Sequence, residues 1–228
     1  MEHILDNPIY HALSSGNKIF SRGNDRIRYF SEKVSPFVGL KEYSTPDFNS
    51  LYRISPDDSF FILFSVRELE IPDQWEVNAK MEILQMVCDW IPPVNDQRKF
   101  IPLQERNVPA MLALTKMTNP GPFYSETIRF GNYRGIFDGE RLVAMAGQRL
   151  HPEPYMEISA VCTDPEYSGR GYAGMLVTDQ IHRIAGQSEI PFLHVLKENK
   201  AAIKLYEKLG FSMRMEVTGY AIKKLSEK

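Results

Sequence analysis

Only two cysteines occur in the 228 residues, Cys88 and Cys162. Two cannot build a disulfide framework or a zinc site, so a reducing, cytoplasmic compartment is the expectation. No apolar run approaches the roughly 18 residues of a membrane-spanning helix. The start, Met1-Glu-His-Ile-Leu-Asp-Asn-Pro8, lacks the cationic stretch and apolar segment of a secretory signal. His3, His11, His151 and His182 show no metal-ligand spacing with carboxylates or cysteines, and no metal is expected. A net charge of −2 with no Lys/Arg stripe argues against nucleic acid. Neither a fixed-period repeat nor a low-complexity tract is present.

What is present suits a soluble globular chain: 43% hydrophobic, 25% charged and 11% aromatic residues. The length allows one large domain or two small ones. Asp89-Trp-Ile-Pro-Pro-Val-Asn-Asp96 has the proline content of a linker, which divides the chain into residues 1–97 and 98–228. The first part holds 9 Lys and Arg against 15 Asp and Glu, the second 18 against 14, so the basic part is the later one.

In the first part, spacing predicts a short helix before Gly16 with Pro8 in its first turn, and strands at 26–31 and 59–65. The second of these is apolar enough to be central. A short helix is expected at 47–53. Residues 80–88 read as a strand, with a long helix over 75–90 as the competing reading. In the second part a short strand at 99–103 precedes a helix at 108–118, with Asn107 as N-cap and Pro109 in the first turn. Asp138-Gly139 marks a hairpin between strands at 133–137 and 141–150. A strand at 155–163, a helix ending at Gly186, a strand at 192–196, a helix at 200–209 and a closing strand pair complete the order.

The turn Glu166-Tyr-Ser-Gly-Arg-Gly-Tyr-Ala-Gly174 lies between the strand at 155–163 and the following helix. Glycines let backbone N–H groups approach a ligand, and a helix N-terminus adds unsatisfied donors, so the favoured occupant is a phosphate. Gly169-x-Gly171-x-x-Gly174 fits the dinucleotide fingerprint, but the turn leaves its strand late and too little chain follows for a doubly wound sheet. The Gly-Lys-Ser/Thr ending of a Walker A loop is absent.

The segment Ala160-Val-Cys-Thr-Asp-Pro-Glu-Tyr-Ser-Gly-Arg-Gly-Tyr-Ala173 resembles the acyl-CoA-binding motif of the GNAT superfamily of N-acyltransferases: Arg or Gln, two residues, Gly, one residue, Gly or Ala. Gly171 and Ala173 match; Ser168 stands where Arg or Gln is usual. Phe192-Leu-His-Val-Leu196 and Asn199-Lys-Ala-Ala-Ile-Lys-Leu-Tyr-Glu-Lys-Leu-Gly-Phe211 extend the resemblance over residues 98–228. It implies an α/β (α+β) fold, a mixed, splayed central sheet flanked by helices. Residues 1–97 would form a smaller α/β domain, by analogy a reduced half of the same fold.

The implied activity is acetyl transfer from acetyl-CoA to a primary amine, small-molecule or peptide, by direct attack. The alternative is a non-catalytic acyl-CoA-binding module. Strand alternation assigns Met156, Ile158, Ala160 and Cys162 to one face, leaving Glu157 as the ionisable group in mid-strand on the other. Such a carboxylate needs hydration or a partner. The resemblance implies that Glu157 is the base, that the N–H near Val161 meets the oxyanion, and that Tyr206 protonates the leaving sulfur. It also implies cofactor contacts from Cys162, Thr163, Ser168, Gly169, Arg170, Tyr172, Gly174, Asn199 and Ala202, besides Val161, Gly171, Ala173 and Tyr206. Asn199 is equally an N-cap, His194 is a reserve base, and the Cys162 thiol is expected to be buried and inert.

Overall fold

A computed structural model describes residues 3–93 and 100–226. A 3-10 turn at Ile4–Asp6 leads into α1 (Pro8–Ser14), which has its proline in the first turn as expected. Strands β1 (Arg22–Gly23), β2 (Ile27–Tyr29) and β3 (Val38–Leu40) form a small antiparallel sheet. Next come α2 (Thr45–Ile54), capped by Ser44, and β4 (Phe60–Ser65). β5 is a single strand, Trp75–Cys88, which decides between the strand and helix readings of this stretch.

After β6 (Ile101–Pro102) the helix α3 occupies Val108–Thr118, the predicted span. Asn107 is its N-cap by position, yet its side chain accepts from the Gln104 N–H instead of capping α3. β7 (Arg134–Asp138) and β8 (Arg141–Gln148) flank Asp138-Gly139 as the turn signal requires. Then follow β9 (Tyr155–Thr163), α4 (Tyr172–Ala185), β10 (Ile190–Leu196), α5 (Lys200–Lys208) and β11 (Phe211–Lys224). The closing strand pair is corrected to one 14-residue strand, because a bulge at Arg214, not a turn, interrupts it.

Eight strands form the main sheet in the order β4-β11-β5-β10-β9-β8-β7-β6. The boundary expected at residues 97 and 98 lies outside the described residues. The sheet spans it, with β5 hydrogen-bonded between β10 and β11. A proline-rich stretch signals a loop equally well within a domain or between domains, so composition did not reveal this shared sheet. β4 is corrected from a central to an end strand. It reads as central because both faces are covered: Ile62 and Phe64 join the cluster under α1, Phe61 and Leu63 the cluster under α2.

β9 and β10 are the parallel pair, and their pairing is brief. It runs from Ile190↔Tyr155 to Phe192↔Glu157, after which the strands continue unpaired. The cause lies in β9, where Ala160 takes φ +52° and the register against β8 shifts between Met145↔Cys162 and Gly147↔Ser159. This bulge corrects the alternation expected for β9. Met156 and Ile158 pack toward α4 with Val177, Ile181 and Ile184, whereas Ala160 and Cys162 pack toward α3 with Met111 and Leu114. One extra residue exchanges the faces and bends β9 away from β10.

Candidate active site

The phosphate turn is braced from outside. Asp164 caps the 3-10 turn Pro165–Tyr167 by accepting from the Glu166 N–H at 3.0 Å, and Arg141 pairs with both Asp164 and Glu166. Tyr167 donates to Asp138 at 2.6 Å, and the Arg170 guanidinium lies 4.5 Å from the Tyr167 ring centre. Gly169 and Gly171 have φ of +77° and +78°, which side-chain-bearing residues rarely adopt. Nothing stands within 4 Å of a Cβ built on Gly169. A Cβ built on Gly174 would instead lie 3.3 Å from Leu205 of α5.

No side chain caps α4. Among the described residues, the N–H groups of residues 169–174 meet no protein acceptor, and the first intrahelical donor is Met175, to Gly171. The buried Thr163 hydroxyl is likewise without a partner. A row of unpaired donors around Gly169 and Gly171 fits an anion, and with it the pyrophosphate of coenzyme A. Ser168, Arg170 and Gly171 are exposed on this turn, while Tyr172, Ala173 and Gly174 form the half-buried first turn of α4.

The gap between β9 and β10 continues the site. The Asp164 N–H bonds to the Val143 carbonyl, and Cys162 pairs with Met145. By alternation, the main-chain groups of Val161 and Thr163 point the other way, into the gap. Cys162 turns both its backbone and its side chain away from it, which corrects its expected cofactor contact. Burial pushes its thiol up to about 12, so it is inert. Asn199 caps α5, its Oδ1 accepting from the Ala202 N–H at 3.1 Å; this leaves the Asn199 Nδ2 available while Ala202 is engaged. Tyr206 is 8% exposed, and burial, with Cys162 second, pushes its phenol up to about 12. Its hydroxyl has no protein partner among the described residues. Val161, Asn199 and Tyr206 share a cavity of 510 Å³.

Glu157 is fully buried and does not line this cavity. Arg149 donates to both its oxygens, Nε at 2.8 Å and Nη2 at 2.6 Å; the Leu150 N–H adds 3.2 Å and His194 Nδ1 2.7 Å. Burial alone would raise the carboxyl, but the charge and hydrogen bonds of Arg149, helped by His194, hold it down to about 2. With its acceptor sites filled, Glu157 suits a positioning role better than the base role expected from sequence. Beyond His194 the row continues. Gln85 Nε2 lies 3.0 Å from His194 Nε2, and Gln85 Oε1 accepts from Arg214, which also pairs with Asp6. Because Gln85 must offer its oxygen to Arg214, its NH2 donates to His194. His194 therefore carries its proton on Nδ1, with no lone pair free to act as a base. The row crosses β11, β5, β10 and β9 and ends just past β8.

Arg149, Gln85, Arg214 and the aromatic residues of the cavity's far wall were missed from sequence. Arg149 had a signal: a mid-strand carboxylate demands a cation, and the hairpin register places Arg149 opposite Glu157, its N–H bonded to the Glu157 carbonyl. The others sit on segments distant in sequence and carry none.

Residues 133–219 match the model of the FR47-like protein family. Over its full length the chain is similar to a Novosphingobium aromaticivorans protein described as an acetyltransferase of the GNAT family. The identity is 32%, the TM-score 0.91, and coverage is 99% of this chain and 100% of that one. A GCN5-related N-acetyltransferase from Kribbella flavida shares the fold at 11% identity and a TM-score of 0.57, covering 96% of each chain. A mycothiol acetyltransferase from Thermomonospora curvata is 32% identical over 83 residues, 34% of this chain. The matched region is only 28% of that relative's length.

Proposed function

The chain belongs to the GNAT family, and on that premise we propose that it transfers an acetyl group from acetyl-CoA to a primary amine by direct attack. One observation carries the reading: a single cavity at the β9/β10 gap joins Val161, Asn199 and Tyr206 to a far wall formed mainly by residues of the N-terminal part. Donor and acceptor can therefore meet from opposite sides of the sheet, which makes the step effectively unimolecular.

Acetyl-CoA supplies the acyl group as a thioester. The N–H groups of residues 169–174 hold the pyrophosphate end, and Asn199 Nδ2 holds the pantetheine arm. The Val161 N–H donates to the carbonyl oxygen as negative charge grows there. A neutral amine nitrogen forms the C–N bond, the C–S bond breaks with its electron pair going to sulfur, and the proton shed by nitrogen ends on sulfur. The Tyr206 hydroxyl donates a hydrogen bond to that sulfur. With the phenol at about 12 and an ordinary thiol near ~8.5, donation rather than full transfer is the favourable act. Glu157 fixes Arg149 and His194 around the cavity and leaves deprotonation of the amine to solvent.

A second reading, a binding module without turnover, draws on the sequestration of Glu157 and on Ser168 in place of Arg or Gln. Calorimetric titration with acetyl-CoA, with NAD as control, followed by an assay of free thiol over a panel of amines, separates the two. Binding with amine-dependent thiol release supports the enzyme. Binding without release from any amine supports the module, and absence of binding defeats both.

A further inference from the structure

Resting on the activity proposed above, we infer that the acceptor is the α-amine of an aromatic aminoacyl compound, its carbonyl neutral as in an amide, and not a polycation. The far wall of the cavity is built from Phe37, Phe60, Phe64, Met81 and Tyr124, with the Phe37 and Phe64 rings 5.3 Å apart. Rings and a thioether accommodate a flat apolar group. Among the described residues lining the cavity, Arg149 is the one charged side chain, and no carboxylate lines it. A polyamine's additional ammonium groups would lose water there without a counter-charge. The carboxylates Glu32, Asp57 and Asp58 line an adjoining 480 Å³ cavity that shares Phe60 and Tyr124, and none of them reaches the wall that would hold the acceptor. Asp57 and Asp58 are paired with Lys224 and Lys223, and Glu32 lines that cavity together with Arg22.

Arg149 gives the wall its polar specificity. Its guanidinium lies 4.6 Å from the Phe37 ring centre, and Glu157 takes Nε and Nη2. Nη1 is left to donate. Glu157 already cancels the cation's charge, so a neutral carbonyl oxygen is a better partner for Nη1 than a second carboxylate buried beside the first.

The missing base selects the amine. Glu157 and His194 have no free acceptor site, so the amine must enter the step already neutral. An α-amino group next to a carbonyl ionises near ~7.7–8, against ~10.4 for an alkylamine. Close to neutral pH the neutral fraction therefore favours the former by a factor on the order of 100.

The test is thiol release with L-phenylalaninamide, 2-phenylethylamine and spermidine between pH 6.5 and 10, with acetyl-CoA titrated calorimetrically on the same preparation. At pH 7.5 kcat/KM should be greatest for the amide, roughly 100-fold above 2-phenylethylamine, and this ratio should shrink as pH rises. Spermidine should be the poorest substrate. Spermidine matching the amide, a ratio that does not fall with pH, or acetyl-CoA binding without turnover of either aromatic amine would overturn the acceptor class while leaving cofactor recognition intact. Loss of acetyl-CoA binding itself would remove the proposed activity along with it. Phe60 is 41% exposed, so Phe60→Ala should fold. It should lower kcat/KM for the amide about tenfold without changing acetyl-CoA affinity, and an unchanged value would overturn the assigned wall.

Discussion

Replacing Glu157 by Gln keeps the side chain's shape and removes its charge. The amide NH2 then faces a donor of Arg149, whose side chain, 10% exposed, loses the carboxylate paired with it. Two routes give the cost. Breaking a buried pair by removing one partner costs about 3–5 kcal/mol. Independently, the carboxyl falls from its ordinary 4.5 to about 2 in the folded protein, a linkage of order ~3 kcal/mol. For a chain of this size that lowers Tm by roughly 10 °C. The pH dependence has a definite sign. A carboxyl depressed by folding contributes its full stability above the unfolded value and loses it as pH falls toward the folded one. The gap between wild type and variant should thus be constant above about pH 5.5 and close between roughly pH 5 and 2. Thermal melts by circular dichroism across that range read it directly. Adding Arg149→Met to Glu157→Gln should restore part of the loss, since it removes the uncompensated buried charge that makes breaking such a pair costly. A variant that melts within a degree or two of wild type at pH 7, or a gap that widens in acid, would refute the reasoning.

Glu157→Gln should also lower kcat without moving the midpoint of the pH–rate profile; a shifted midpoint would return Glu157 to the role of base. Tyr206→Phe should reduce kcat by roughly ten- to hundredfold with acetyl-CoA affinity within twofold, and equal rates would remove the phenol from the mechanism. Gly171→Glu forces a side chain onto φ +78° and sets a carboxylate among the phosphate donors, so acetyl-CoA binding should vanish while the far-ultraviolet spectrum is kept. Survival of binding would place the cradle elsewhere. Arg214→Met removes one of the two contacts that orient the Gln85 amide, leaving the Leu5 carbonyl that accepts from its Nε2 at 2.9 Å. A stability loss of about 1–2 kcal/mol is expected, together with a change in the imidazole nitrogen shifts of His194; unchanged shifts would show that the row does not set its tautomer.

The order of elements from α3 to α5 was legible because each has local punctuation. Asp138-Gly139 supplies one turn, Asn107 and Pro109 one helix start, and the glycines at 169 and 171 the next. The candidate residues Val161, Thr163, Asn199 and Tyr206 were reached from sequence for the same reason, each lying at a fixed offset from such a signal. What sequence hid was long-range. β5 enters the sheet between β10 and β11 from more than a hundred residues away, and nothing in Trp75–Cys88 announces its neighbours. The far wall has the same origin, since Phe37, Phe60, Phe64 and Met81 come from residues read as a separate domain.

The bulge at Ala160 connects these lessons to the chemistry. A regular β9 would keep Ser159 and Val161 on the face of Glu157, bind β10 along its whole length and close the gap. One residue at φ +52°, in a position where a non-glycine residue is strained, instead turns Val161 and exposes its main chain at the place where the two strands part. Glu157 lies before the bulge, on the paired side of the divergence, where Arg149 and His194 hold it outside the cavity. The same strand therefore opens the sheet for the donor while its one carboxylate stays engaged on the other side of the divergence. An enzyme built this way has reason to favour amines that need little help in losing a proton.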